Sequence, residues 1–292
     1  MQAAAGSLAD ALKSAEQRLA AAGVETPRGD AQWMAALVLG TSRSALLAHS
    51  DETFPEDRRP RFEELVGRRE RREPLGYILG TVNFRGLELE VGPGVFVPRP
   101  ETETTADRAI AHARSSSRRR PNVVDVGTGC GAIALSVAAE VPQSNVFATE
   151  VRGAARGWAL RNLARTALRV TLLPGELLEP LHPALGGGVD VIVCNPPYVS
   201  EGEWGSLPDE VRRFEPRDAL IAGPTGLEVV IDLVEQARVW MAPGGWLVLE
   251  VAPHQTAKVA RLLSMVGYGD VRVMQDLAGR DRVVEGRWAG PW

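Results

Sequence analysis

Cysteine is scarce in this chain: Cys130 and Cys194 are the only two among 292 residues. That excludes a disulfide-stapled secreted scaffold, and the expected state is two free thiols in a reducing cytosol. Both lie beside the strongest candidate site, so a pair is conceivable, but two small buried apolar side chains are the plainer expectation. Long apolar runs are missing as well. The opening stretch "MQAAAGSLADALKSAEQRLAAAG" is interrupted by Asp10, Lys13, Glu16 and Arg18 and lacks the apolar core of a signal peptide. Nothing later reaches the length of a membrane span, so a soluble cytoplasmic protein without a membrane partner is expected. A surplus of positive charge is absent too. The formal net charge of −4 and isoelectric point near 5.7 give no whole-molecule attraction to nucleic acid. The basic run "RSSSRRR" has neither aromatics nor further basic clusters beside it and reads as a solvated loop. The four histidines, His49, His112, His182 and His254, have no metal-like spacing, and no G-x-S-x-G elbow appears. No metal ligand set and no serine hydrolase are indicated.

What is present is ordinary in amount and ordered in pattern. A hydrophobic share of 45% and a charged share of 24% are those of a globular protein, long enough for one large α/β domain and a smaller appendage. Leu8, Leu12, Ala15 and Leu19 recur at helical steps up to Gly23. Thr26 and Pro27 read as the cap and first residue of a second helix, which carries Trp33, Leu37 and Val38 to a stop at Gly40. "SRSALLAHS" and "PEDRRPRFEELVGRRERRE" continue the helical pattern, giving a helical domain over 1–75. From 76 to 99 alternation in "LELEV" and glycine breaks predict a β-hairpin linker. Over 100–292, short apolar runs such as "NVVDVG", "NVFATE", "RVTLLPG", "DVIVCN" and "GWLVLEV" alternate with helical stretches, the rhythm of parallel strands with crossover helices. The tail "GYGDVRVMQDLAGRDRVVEGRW" instead places two strands together with no helix between them, so an antiparallel final hairpin is expected.

Two constellations carry chemistry. The first is "NVVDV" running into "GTGCG" and then a helix: Gly127, Gly129 and Gly131 permit close backbone approach, while Asp125 and the helix N-terminus supply polar groups. Thr128 and Cys130 complete this loop. The next strand ends at Glu150, about 20 residues on, where an acid can accept both hydroxyls of a ribose. The glycine spacing is tighter than the dinucleotide fingerprint, and no Walker lysine follows. A ligand with a ribose and no pyrophosphate fits, and S-adenosylmethionine is such a ligand.

The second constellation is "VDVIVCNPPYV". It ends the fourth strand, which in a doubly wound sheet lies beside the first, so Asn195 projects next to the cofactor loop. Pro196 and Pro197 stiffen the backbone and leave carbonyl oxygens free as acceptors. The Asn195 side-chain oxygen and the Pro196 carbonyl match the two hydrogens of an NH2 group, and Tyr198 offers a flat face to a planar substrate. The expected target is an sp² amino group, either a carboxamide or an exocyclic base amine. Two accepted hydrogen bonds would align it with the sulfonium methyl and stabilise positive charge growing on nitrogen. A rigid strand-ending turn is the alternative for NPPY.

Beyond these motifs the chain resembles the peptide chain release factor glutamine methyltransferases called HemK or PrmC. The resemblance rests on "EPLGYILGTVNFRGLELEV", "VFVPRPETE", "VVDVGTGCGAIALSVA", "VIVCNPPYV" and "EVRRFEPRDALIAGPTGLEVV". It implies a Rossmann-like class I S-adenosylmethionine-dependent fold, with a seven-stranded mostly parallel sheet whose last strand is antiparallel. It implies methyl transfer to the side-chain amide nitrogen of the GGQ glutamine in class I release factors, leaving S-adenosylhomocysteine. On this resemblance Gly127 to Gly131 match the cofactor loop and Glu150 the ribose acid. Asn195, Pro196, Pro197 and Tyr198 match the glutamine pocket, with Asn195 also beside the cofactor, and the helical domain helps hold the protein substrate. Two departures are visible: Glu150 stands where Asp is frequent, and "PGELLEP" puts Glu176 and Leu177 where the family often has Gly-Asp and a bulky residue. The roles of Arg99, Glu101 and Glu103 are left open by the sequence. The alternatives are an adenine N6 methyltransferase of nucleic acid, a glutamine methyltransferase of a ribosomal protein, and a non-catalytic binder retaining the fold.

Overall fold

The computed structural model describes residues 7–290, so the ends of the first and last sequence-defined domains, 1–6 and 291–292, lie outside the described residues. The chain divides into two compact units, one of residues 1–81 with 208–214 and the other of 82–207 with 215–292.

The first unit contains helices α1 (Leu8–Ala21), α2 (Pro27–Leu39), α3 (Arg43–Ala48), α4 (Arg59–Glu70) and α5 (Leu75–Leu79). Ser7 opens α1 with a capping box, accepting from the Asp10 N–H at 3.1 Å while Asp10 accepts from the Ser7 N–H at 3.1 Å. Leu8, Ala11, Ala15 and Leu19 then form its buried stripe. Thr26 sits at the N-cap of α2 without capping it; its hydroxyl is spent on the Asp30 carboxylate, 2.7 Å away. Of the three large residues expected along α2, Val38 is buried, while Trp33 and Leu37 are 40% and 47% exposed. Gly40 ends the helix at φ 64°, a left-handed value that suits glycine.

The contacts place Pro208–Phe214, which the sequence assigns to the last domain, with these helices. The reason is electrostatic. Arg69 on α4 is buried and bonds Asp30 at 2.7 Å and Glu210 at 2.6 Å, so a second carboxylate from a distant stretch of chain is drawn in to satisfy one guanidinium. Removing either partner from such a buried group costs about 3–5 kcal/mol.

The hairpin is shorter than the sequence suggests. Residues 75–79 make a helical turn ended by Gly80 at φ 77°, and only β1 (Thr81–Phe84) and β2 (Leu87–Glu90) pair. Then come α6 (Thr102–Ser115), β3 (Asn122–Val126), α7 (Ala132–Glu140), β4 (Asn145–Glu150), α8 (Gly153–Thr166), β5 (Val170–Pro174) and β6 (Val189–Cys194). They are followed by β7 (Val199–Ser200), α9 (Asp209–Phe214) of the first unit, β8 (Ile221–Gly223), α10 (Glu228–Trp240), β9 (Met241–Glu250), α11 (Thr256–Val266), β10 (Tyr268–Gln275) and β11 (Asp281–Trp288).

The seven-stranded sheet has the order β10-β11-β9-β6-β3-β4-β5. Strands β9, β6, β3, β4 and β5 are parallel, while β11 runs antiparallel to both β9 and β10, as the tail predicted. The apolar run of β6 is continuous because both of its faces are covered. Val191 and Val193 pack in one layer with Ala106 and Ala109 of α6; Ile192 and Cys194 pack in the other with Val230 and Leu233 of α10. Strand alternation therefore aims the residue after Cys194 toward the α6 side of the sheet.

Candidate active site

The carboxyl ends of β3, β4 and β6 open into one pocket within the second unit, lined by Gly127, Thr128, Gly129, Cys130, Glu150 and Asn195–Tyr198 among others. Gly127 and Gly129 take φ 67° and 61°, and a Cβ at Gly127 would meet nothing within 4 Å, so ligand can approach the bare backbone there. Gly131 stands outside the lining. It starts α7 at φ 93°, where a Cβ would come within 3.1 Å of Leu135.

The loop is held by two carboxylates. Asp125 accepts from the Thr128 hydroxyl at 2.6 Å and the Ala134 N–H at 2.9 Å, both on one oxygen. Burial pushes its carboxyl up to about 7, against the pull of those two bonds, and the charge of Glu150 adds to the rise. Asp125 thus pins the loop to itself. Glu150 does the same from β4, accepting the Gly129 N–H at 2.9 Å. It also takes the Arg152 N–H at 2.9 Å and that guanidinium at 3.2 and 3.4 Å. Arg152 is a residue that sequence reasoning missed. Its Nη1 is buried in the pocket wall with no hydrogen-bond partner. Glu176 and Leu177 close the far side of the pocket, with Leu177 at φ 44°, an uncommon value for a bulky residue. The two thiols behave as packing: Cys130 and Cys194 are free and buried, and burial pushes the Cys130 thiol up to about 12.

Beside the loop, Asn195 is half-buried and donates its amide N–H to the Thr102 hydroxyl at 3.1 Å. Among the described residues no donor reaches Asn195 Oδ1 or the Pro196 carbonyl, so both acceptors of the expected pair are open. The stretch after them is fixed from behind. Gln255 donates to the Tyr198 carbonyl at 2.9 Å, and Gly226 lies so close that a Cβ would come within 2.7 Å of that same oxygen. Only glycine fits there, at φ 78°. The Tyr198 ring lies 5.9 Å from the Arg282 guanidinium, and burial pushes its phenol up to about 12.

The residues that sequence left open now have partners. Arg99 of "VPRPETE" forms an ion pair with the buried carboxylate of Glu215 in "RFEPRDAL", so two of the stretches that carry the resemblance meet. Glu101 accepts from Arg280 at 2.6 Å, and Glu103 from the Arg85 N–H at 3.4 Å. Thr102, between them, was missed entirely, although it reaches the site itself. Of the histidines, His112 is a core residue, stacked on Trp246 at 4.0 Å and bonded to buried Glu285 at 2.9 Å. No helix among the described residues is long and apolar enough to cross a membrane.

Two family models match the chain: the PrmC N-terminal domain over residues 10–80 and the methyltransferase small domain over 92–207. A release factor glutamine methyltransferase of Streptomyces coelicolor is 42% identical over 95% of this chain and 96% of its own length. One of Mycolicibacterium smegmatis is 41% identical over 95% of this chain and 96% of its own. Among solved structures, a T. thermophilus 16S rRNA methyltransferase in complex with AdoMet and guanosine superposes with a TM-score of 0.52. That match covers 71% of this chain and 49% of the other at 20% identity, a likeness of fold. With whole-length relatives at this level of identity, the chain belongs to the release factor glutamine methyltransferase family.

Proposed function

We propose that this protein transfers a methyl group from S-adenosylmethionine to the side-chain amide nitrogen of the GGQ glutamine in class I peptide chain release factors. One observation carries the reading: the open Asn195 and Pro196 acceptors face the same pocket as the glycine loop. The pocket suits the cofactor. The bare Gly127 and Gly129 backbone admits its chain, and the Glu150 carboxylate can accept ribose hydroxyls if they displace the long 3.2 and 3.4 Å contacts of the Arg152 guanidinium. Arg152 Nη1, which makes no hydrogen bond and lies 3.9 Å from the Asp218 carboxylate, and the Glu176–Leu177 wall are then left for the base. Bound there, S-adenosylmethionine supplies an electrophilic methyl on a sulfonium.

An amide nitrogen is a poor nucleophile because its lone pair is delocalised. Asn195 Oδ1 and the Pro196 carbonyl accept its two hydrogens, which orients the lone pair and stabilises positive charge as it grows on nitrogen. The methylated nitrogen is strongly acidic and gives up one proton to solvent, so no dedicated base is needed. Tyr198 lies against the planar carboxamide, and its raised phenol stays neutral. The helical unit, with Trp33 and Leu37 exposed on α2, is proposed to hold the body of the release factor.

With labelled S-adenosylmethionine, a release factor carrying GGQ takes up label, and the same factor with that glutamine replaced by alanine does not. Equal labelling of the two overturns the glutamine assignment. Labelling of a ribosomal protein or of DNA in place of either selects one of the two rival substrates.

A further inference from the structure

Asn195 can work as an acceptor only if its amide faces the right way. An amide has two ends of nearly equal size, and turned by half a rotation it would present NH2 to the substrate's NH2, donor against donor. Something must choose between these orientations, and the choice can be traced through buried neighbours.

Strands β6 and β9 are parallel neighbours in the register Val193↔Val248 and Cys194↔Leu249. Val193 and Val248 share the α6 layer, so the residues one step beyond each pair, Asn195 and Glu250, leave the sheet on that same side. The first turns of α6 lie against both. Thr105 bonds the Glu250 carboxylate at 3.0 Å, and Thr102, three residues before it on the same helix face, is drawn on by that carboxylate as well, pulling its titration down. Thr102, Thr105 and Glu250 are 3%, 0% and 1% exposed, so bulk solvent does not satisfy these groups. A carboxylate only accepts, so whatever the Thr102 hydroxyl gives Glu250 it gives as donor. With its proton committed, that hydroxyl can only accept from Asn195. The NH2 end of the amide is therefore held against Thr102 at 3.1 Å, and Oδ1 is left for the substrate.

We infer that Thr102 and Glu250 are positioning residues that set the direction of the Asn195 amide, through a one-way chain of hydrogen bonds running from Asn195 to Thr102 to Glu250. This rests on the proposed function for its substrate, but the chain of donors and acceptors does not depend on which sp² amine is bound. The ionised carboxylate is what imposes the direction. Burial raises the Glu250 carboxyl to about 7 with Glu101 pushing the same way, while Thr102, Thr105 and Arg282 pull it down. The Tyr198 phenol and the Cys194 thiol feel the Glu250 charge, and Arg99 also acts on Tyr198. As pH falls below about 7, Glu250 takes up a proton and the direction is released.

The test compares T102V with T102S, measuring kcat and KM for a release factor, the dissociation constant of S-adenosylmethionine by calorimetry, and thermal stability. Valine keeps the shape and removes the hydroxyl, leaving the amide NH2 without a partner in its productive orientation, a penalty large enough to favour the flipped state about tenfold. The expected result is a kcat about tenfold lower for T102V at nearly unchanged cofactor affinity, with T102S recovering most of it. Wild-type kcat for T102V, or T102S no better than T102V, overturns the inference. E250Q supplies a second arm should T102V fail to fold: the wild type loses kcat as pH drops through about 7, and E250Q loses less, Asp125 keeping its own part of that limb. A kcat–pH profile of E250Q identical in shape to that of the wild type removes Glu250 from the role. If the wild type itself fails to methylate the release factor, the proposed function has failed, a result distinct from any of these.

Discussion

The two halves of the pocket are built on opposite principles. In the glycine-loop half the carboxylates are already engaged: Asp125 and Glu150 bind the loop's own N–H and hydroxyl groups, and so hold a flexible backbone in shape. In the NPPY half the backbone is stiffened covalently by two prolines, and the polar groups that matter are neutral and open. A glycine loop needs charged ties because it has little stiffness of its own. A diproline turn needs none for its backbone, and can keep its acceptors for a partner. The two halves should therefore fail differently.

The largest failure belongs to the open half. Asn195→Ala removes an acceptor aimed at developing charge, and kcat is expected to fall about 100-fold or more, while S-adenosylmethionine binding measured by calorimetry shifts only a few-fold. Parallel losses in both would erase the distinction. Next comes the tied half. Glu150→Gln keeps the shape and removes the charge that holds Gly129, and the cofactor dissociation constant is expected to rise about tenfold, with kcat at saturation much less affected. An unchanged constant would mean that Glu150 serves neither loop nor ribose.

The smallest effect is on stability against pH. The Asp125 carboxyl ordinarily titrates near 3.8 and in the folded protein near 7, so the folded state holds its proton more tightly. Its contribution is fully present below about 3.8 and is lost as pH rises through about 7. Denaturant unfolding across that window should show a flatter decline for Asp125→Asn than for the wild type. Glu250, also raised to about 7, keeps its own part of the slope. An identical slope in the variant would show that Asp125 does not sense the fold.

The sheet and its strand ends were legible because periodicity and glycine are local signals. "VDVIVC" with apolar residues on both faces could only be an inner strand, and NPPY announced where it stopped. The polar frame was not legible. In "PETETT" the threonines look like ordinary helix-start residues, and nothing nearby says that Thr102 faces an amide donated from β6. Nothing in "GWLVLEV" distinguishes Glu250 from a solvent-facing strand end, yet it is 1% exposed. Arg152 left no signal beyond its place two residues after Glu150. Long-range ion pairs have no period, so the assignment of 208–214 to the helical unit was hidden in the same way.

The burial of Arg69 between Asp30 and Glu210 has a consequence for how the protein can be taken apart. The helical unit is a discontinuous module, closed by a piece of chain that leaves the methyltransferase unit and returns to it. No single cut separates the two. A chain beginning at Val82 would still carry α9, with Glu210 deprived of its guanidinium. Separation takes a second excision, joining Leu207 to Glu215 by a short turn. In evolutionary terms, such a module cannot be exchanged by end-to-end fusion, and its inheritance is tied to the loop that follows NPPY.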